Sequence, residues 1–300
     1  MVRRMNVRVP VCVWPVGAEL AEGPLWQAEE NAVYFVDIKG RQIHRLVVTT
    51  GQRTTWYAPD QPGFIAPLGD RVFVCGLPDG LYRFDAVGGQ FDKLMDIESH
   101  LPGNRLNDGF VDARGRLWFG SMDDAEEAPS GTLYRVDQDG TANPQDSGYV
   151  ITNGPAMSPD GGTLYHNDTM RRVVYAFDVA EDGTLSRKRV FAAISGDGHP
   201  DGMAVDADGY VWVALFGGWR IERYSPKGDL VKQVAFPCAN ITKLAFGGDD
   251  LQTVYVSTAW KGLTRAEREK QPQAGGLFSF RAPVPGQVQA RCTAFARRED

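Results

Sequence analysis

A chain of 300 residues with 43% hydrophobic, 11% aromatic and 23% charged side chains is ordinary globular material, long enough for one large domain or two smaller ones. Its 32 basic against 38 acidic residues leave a net charge of −6, which argues against nucleic acid or an anionic membrane as the main partner. No apolar run approaches the roughly 20 residues of a membrane helix. The four cysteines (Cys12, Cys75, Cys238, Cys292) are scattered without a CxxC pair, so reduced thiols and a cytoplasmic location are the expectation.

The chain opens with MVRRMNVRVPVCVWPVGA, where basic residues precede an apolar stretch in the manner of a signal peptide. Arg8 and two prolines interrupt that stretch, and the alternation in VRVPVCVW reads instead as a β-strand. From there the sequence repeats itself. Six short strands follow turn-forming clusters: NAVYFVD, DRVFVCG, GRLWFGS, GTLYHND, GYVWVAL and QTVYVST. Each is followed by a second one, in RQIHRLVV, DGLYRFDA, GTLYRVDQ, RRVVYAFDV, WRIERYSP and GGLFSFRA, and preceded by a third, in GPLWQA, APLG, DGFVDA, GPAMSPD, DGMAVDA and KLAFGG.

The residues that introduce this third series are Glu22, Ala66, Asp108, Asn153, Asp201 and Lys243, at spacings of 44, 42, 45, 48 and 42. Six near-equal units of β-structure with hardly a helical period predict an all-β fold, a single-domain six-bladed β-propeller over residues 1–300. The first strand of the chain is expected to complete the last blade. The charged stretch GLTRAEREKQPQAGG is expected as a loop or short helix inside that blade.

Familiar catalytic motifs are missing. There is no G-x-S-x-G elbow, no phosphate-binding loop, no G-x-G-x-x-G and no zinc-type histidine spacing among His44, His100, His166 and His199. DADG and SPDGG fall short of a calcium loop and read as hairpin turns.

What the repeat does bring together is oxygen. In a propeller the first strand of each blade lines the central channel, so residues of equal register converge. Glu22 and Asp201 supply two negative charges there, and Asn153 a neutral carbonyl oxygen. Like charges forced together need a cation between them. Oxygen donors favour calcium, magnesium or manganese, with transition ions such as zinc or iron(II) remaining open. The segment GNRLNDGF adds Arg105, Asn107 and Asp108, a fork and polar groups able to hold the oxygens of a substrate. The acidic loop SMDDAEEAP reads as solvated surface or as a lid, and no residue in it is assigned.

AEGPLW, NRLNDGFVDARGRLWFGSM, ITNGPAMSPDGGTLYHND and PDGMAVDADGYVW resemble the signature segments of the senescence-marker-protein/regucalcin/gluconolactonase family, from about Ala21 to Phe280. The resemblance implies one divalent metal near the top of the channel, held by Glu22, Asn153 and Asp201, and hydrolysis of a sugar-acid (aldono-) lactone. Arg105 and Asn107 match substrate contacts; Asp108 matches the motif with a less defined role. Asp201, a ligand that also faces water, is the implied general base. The reading is a metal-dependent lactonase in a bacterial-type sugar oxidation pathway. A calcium-binding regulatory propeller without catalysis, and a promiscuous esterase or organophosphate hydrolase, remain as alternatives. The sequence leaves the oligomeric state, the sugar and the native metal open.

Overall fold

The computed structural model describes residues 9–295, so residues 1–8, which carry most of the signal-peptide resemblance and the start of VRVPVCVW, lie outside it. The described chain forms six four-stranded antiparallel sheets. Five are built from consecutive strands and occupy residues 21–57, 64–96, 104–149, 152–193 and 199–235. The sixth takes three strands from residues 240–281 and its outermost from Val11–Trp14, which pairs antiparallel with Leu277–Arg281. The N-terminal strand Val11–Trp14 thus completes the sixth sheet. Each first strand packs against the first strand of the next blade, and Asn240–Gly247 packs back against Ala21–Gln27.

Why six similar sheets stack in a ring follows from their faces. The middle strands are continuous buried runs, such as Ala32–Asp37, Leu117–Asp123 and Val211–Phe216, whose side chains fill the wedges between blades. Trp118 and Trp212 are fully buried there, and each indole N–H donates to an aspartate (Asp112 and Asp206, both 2.9 Å). Those aspartates also accept main-chain N–H groups of the turns DARG and DADG, through Arg114 and Arg116 in one and Asp208 and Tyr210 in the other. Both motifs are therefore hairpin turns pinned to the core.

Helix is scarce. Beyond one 3-10 turn, the described residues hold the single α-helix Arg265–Lys270, started by a capping box between Thr264 and Glu267, within the stretch expected to be helix or loop. None of the described helices is long and apolar enough to cross a membrane. All four cysteines are free.

The first strands that carry Glu22, Asn153 and Asp201 each contain a β-bulge. Pairing of the first strand with the second slips between Glu22 and Leu25, between Asn153 and Ala156, and between Pro200 and Met203. A bulge re-aims the local side chains and needs unusual backbone angles. Gly23 (φ 55°) and Gly154 (φ 75°) supply them immediately after Glu22 and Asn153. Polar residue, glycine, apolar run is thus a structural corner that turns a polar side chain to the axis.

Candidate active site

One cavity of about 250 Å³ opens at the axis, lined by Glu22, Asn153, Asp201, Arg105 and Asn107 together with Glu126, Lys261, His199 and Thr169. Its apolar wall includes Leu20, Met122, Ile151 and Phe216. Five of the six residues singled out from the sequence therefore share a single chamber. A second cavity of about 120 Å³, walled in part by the tail residues Gln287 to Ala290, contains none of Glu22, Asn153 or Asp201.

The exception is Asp108. It lines neither cavity, and its oxygens are occupied. Oδ1 accepts from Lys243 Nζ and from the Gly109 N–H (2.8 Å), and Oδ2 accepts from the Gly154 N–H (3.1 Å). Asp108, whose role the sequence left less defined, thus stands in a buried ion pair between the third and sixth blades, which face each other across the ring. The register that the sequence revealed is shared out: Glu22, Asn153 and Asp201 face the chamber, Asp108 and Lys243 satisfy one another, and Ala66 carries no polar group.

Electrostatics follow from that division. Three carboxyls, Glu22, Asp108 and Asp201, stand at the axis against Lys243, an excess of two negative charges when all are ionised. Glu22 and Asp201 are buried, lie within hydrogen-bond reach of each other, and form no ion pair among the described residues. Burial, then Asp108, pushes the Glu22 carboxyl up to about 7, with Lys243 pulling the other way. Burial, then Glu22 and Asp108, raises Asp201 well above the usual carboxylate range. Among the described residues no three His, Cys, Asp or Glu side chains form a metal-holding cluster; two carboxylates and an amide are the donor set. A divalent cation fits this set in charge and in donor chemistry.

Arg105 is almost fully buried. Its Nε donates to Asp124 Oδ1 (2.7 Å), and its Nη1 to the Leu106 carbonyl (3.2 Å) and to Asn107 Oδ1 (2.6 Å). Nη2 has no hydrogen bond among the described residues and remains for a ligand. Asp124 belongs to the acidic loop and is held from three sides, by Arg105, by Lys39 Nζ (2.7 Å) and by Gln61 Nε2 (3.2 Å). Burial alone would raise its carboxyl, but Lys39 and Arg105 hold it down to about 2. Further along the same loop Glu126 pairs with Lys261 of the sixth blade at the chamber wall. The loop is therefore part of the chamber, which the sequence left undecided.

Sequence reasoning missed Lys261, Glu126, His199 and Thr169. His199 precedes the P-D-G motif, and its Nδ1 faces the Thr169 carbonyl (3.2 Å), so in the neutral ring Nε2 carries the lone pair. For Lys261 and Glu126 no local signal exists, because they lie in turns 135 residues apart in the chain.

The comparisons with known proteins agree with the geometry. Residues 20–260 match the family model described as SMP-30/Gluconolactonase/LRE-like region. The chain is 34% identical to 6-deoxy-6-sulfogluconolactonase of Pseudomonas putida, over 92% of this chain and 95% of that one. It is 35% identical to L-arabinolactonase of Azospirillum brasilense, over 91% of each. Among solved structures it superposes on the calcium-binding protein regucalcin of Agrobacterium tumefaciens with a TM-score of 0.91 at 27% identity, covering 95% of this chain and 97% of the other. A fold of six blades, these signature segments and matches spanning nearly the whole length place the chain in the SMP-30/gluconolactonase/LRE-like family.

Proposed function

We propose that the protein hydrolyses a sugar (aldono-) lactone to its acid with the help of one divalent metal ion held by Glu22, Asn153 and Asp201. The observation that carries the reading is the uncompensated pair of carboxylates, Glu22 and Asp201, sharing a chamber with Arg105 and Asn107. Without an ion the pair relieves its repulsion by taking up protons, which is what raises both carboxyls, and a divalent ion would replace those protons. The two relatives named as lactonases support the substrate class.

A divalent ion bound there would polarise the lactone carbonyl and acidify a water. The chain's own residues supply the rest. Water attacks the carbonyl carbon, the ring C–O bond breaks, and the ring oxygen leaves as a hydroxyl. Asp201 takes the proton from the attacking water and returns it to the departing oxygen. Its place in the buried chamber, within hydrogen-bond reach of Glu22, keeps the carboxylate close to a water in the same chamber. Arg105 Nη2 and the remaining lone pair of Asn107 Oδ1 orient the sugar hydroxyls, while Asp124 holds the guanidinium plane in place. Leu20, Met122, Ile151 and Phe216 limit water around the reacting carbonyl.

The structural relative named as calcium-binding favours a second reading, an ion bound without turnover. Aldonolactone hydrolysis followed by acid release in weak buffer separates the two. Turnover that Arg105→Lys impairs supports the enzyme, and calcium uptake with no turnover of any lactone supports the binding protein.

A further inference from the structure

Four buried side chains form a hydrogen-bonded row along the chamber wall. Arg105 Nη1 donates to Asn107 Oδ1 (2.6 Å), and Asn107 Nδ2 donates to Asn153 Oδ1 (2.8 Å). Asn153 Nδ2 donates to Thr169 Oγ1 (2.9 Å), and Thr169 Oγ1 donates to the Pro200 carbonyl (2.8 Å). A guanidinium has only donors and a main-chain carbonyl has only lone pairs, so the two ends fix the direction of the row. Each asparagine between them has one correct orientation, with its oxygen toward the arginine end and its nitrogen toward the proline end. Asn107 is held further by its second amide hydrogen, which goes to the Thr152 carbonyl (2.7 Å). All four are buried, so water offers little alternative.

The consequence falls on Asn153. Its Oδ1 accepts one bond from Asn107 and keeps a second lone pair. An inverted amide would place N–H hydrogens where both Asn107 and a cation need an acceptor. Thr169 is what makes the inverted state costly, because its hydroxyl hydrogen is already committed to Pro200 and its oxygen can only accept from Asn153.

We infer that Thr169 and Asn107 are positioning residues for the metal site, holding the Asn153 amide with its oxygen turned to the ion, and that the donor-only Arg105 sets the direction of the whole row. The inference rests on the metal-dependent reading above. It makes ion affinity depend on two residues that donate no ligand atom.

The test is calorimetric titration of the metal-stripped proteins with Mn²⁺ alone. Thr169→Val keeps the shape but neither accepts nor donates, and it should weaken Mn²⁺ binding about 10- to 100-fold, whereas Thr169→Ser should stay within about threefold of wild type. A purely structural threonine would lower the melting temperature of the Val variant and leave ion affinity unchanged. Should Thr169→Val fail to fold, Asn107→Leu, which removes the donor on the other side of Asn153, must show the same loss. Wild-type affinity in either folded variant overturns the inference. A wild-type protein that takes up no Mn²⁺ overturns the metal reading itself and the role of the row with it.

Discussion

Replacing Lys243 by Met tests whether the axis is assembled as described. The Lys243 and Asp108 side chains are 9% and 3% exposed, so their ion pair is cut off from water. The lysine stem packs against Gly202, where a Cβ would meet Lys243 Cγ at 2.4 Å, and Met retains that packing while removing the charge. The variant leaves the Asp108 carboxylate buried without its cation, a change worth about 3–5 kcal/mol. The Gly109 and Gly154 N–H groups still donate to it, which favours the lower end of that range. At about 2 °C per kcal/mol for a chain of this length, the melting temperature at pH 7.5 should fall by roughly 6–10 °C. Burial already pushes Asp108 upward, with Lys243 opposing, so without the lysine it takes up a proton readily and the loss should shrink at pH 5. Adding Asp108→Leu removes the orphaned charge and should recover most of the stability. Differential scanning calorimetry of the three proteins provides the measurement. A Lys243→Met protein as stable as wild type at both pH values, or a double variant no better than the single, would refute the ion-pair account.

Three further outcomes follow from the chamber. Asp201→Asn keeps an oxygen donor but no base, so lactone hydrolysis at saturating metal should drop by at least about 10²-fold; near-normal turnover of the fully loaded variant removes Asp201 as the base. Arg105→Lys keeps a donor-only cation, and hence the direction of the hydrogen-bonded row, but loses the fork. Steady-state kinetics should show impaired turnover and calorimetry an ion affinity close to wild type, the reverse pattern counting against the assignment. Glu22→Gln tests the pH behaviour of the metal-free protein. A carboxyl raised to about 7 is protonated more in the folded than in the unfolded chain between pH 4.5 and 7, so its contribution to stability is lost as pH rises through that window. His44 and His166, held down to about 4 and 3 by burial, act in the opposite sense. The readout is therefore the stability of wild type minus that of Glu22→Gln, which should fall from pH 4.5 to 7 without metal; a flat difference contradicts the perturbed carboxyl.

The architecture was legible because a propeller writes itself six times. Turn, buried strand and spacing recur, and the register residue of each repeat could be named before its neighbours were known. Equal register put Glu22, Asn153 and Asp201 in one chamber, but it could not say which members would pair among themselves. Lys243 was visible in the same register opposite Asp108, and charge alone would have matched them; the R-x-N-D-G segment drew attention to the substrate instead. Asn107 and Asp108 both lie in the bulge between Leu106 and Gly109, where strand alternation fails and spacing does not say which of them faces the chamber. Contacts made by loops were out of reach altogether. Asp124 meets Lys39, and Glu126 meets Lys261, only because closing the ring carries distant turns to one mouth. Thr169 was hidden for a different reason: its role lies in the direction of its hydrogen bonds, which no spacing encodes.

The central claim is that the paired carboxylates exist to hold an ion that the hydrolytic reaction needs. Its most direct measurement is hydrolysis of a panel of aldonolactones by chelator-stripped protein, with residual metal quantified, before and after each of Ca²⁺, Mg²⁺, Mn²⁺, Zn²⁺ and Fe²⁺ is added back. The account predicts turnover no faster than buffer from the stripped protein and recovery with at least one ion on at least one lactone. Full turnover by protein shown to be metal-free, or ion binding that restores no hydrolysis of any lactone, would contradict it.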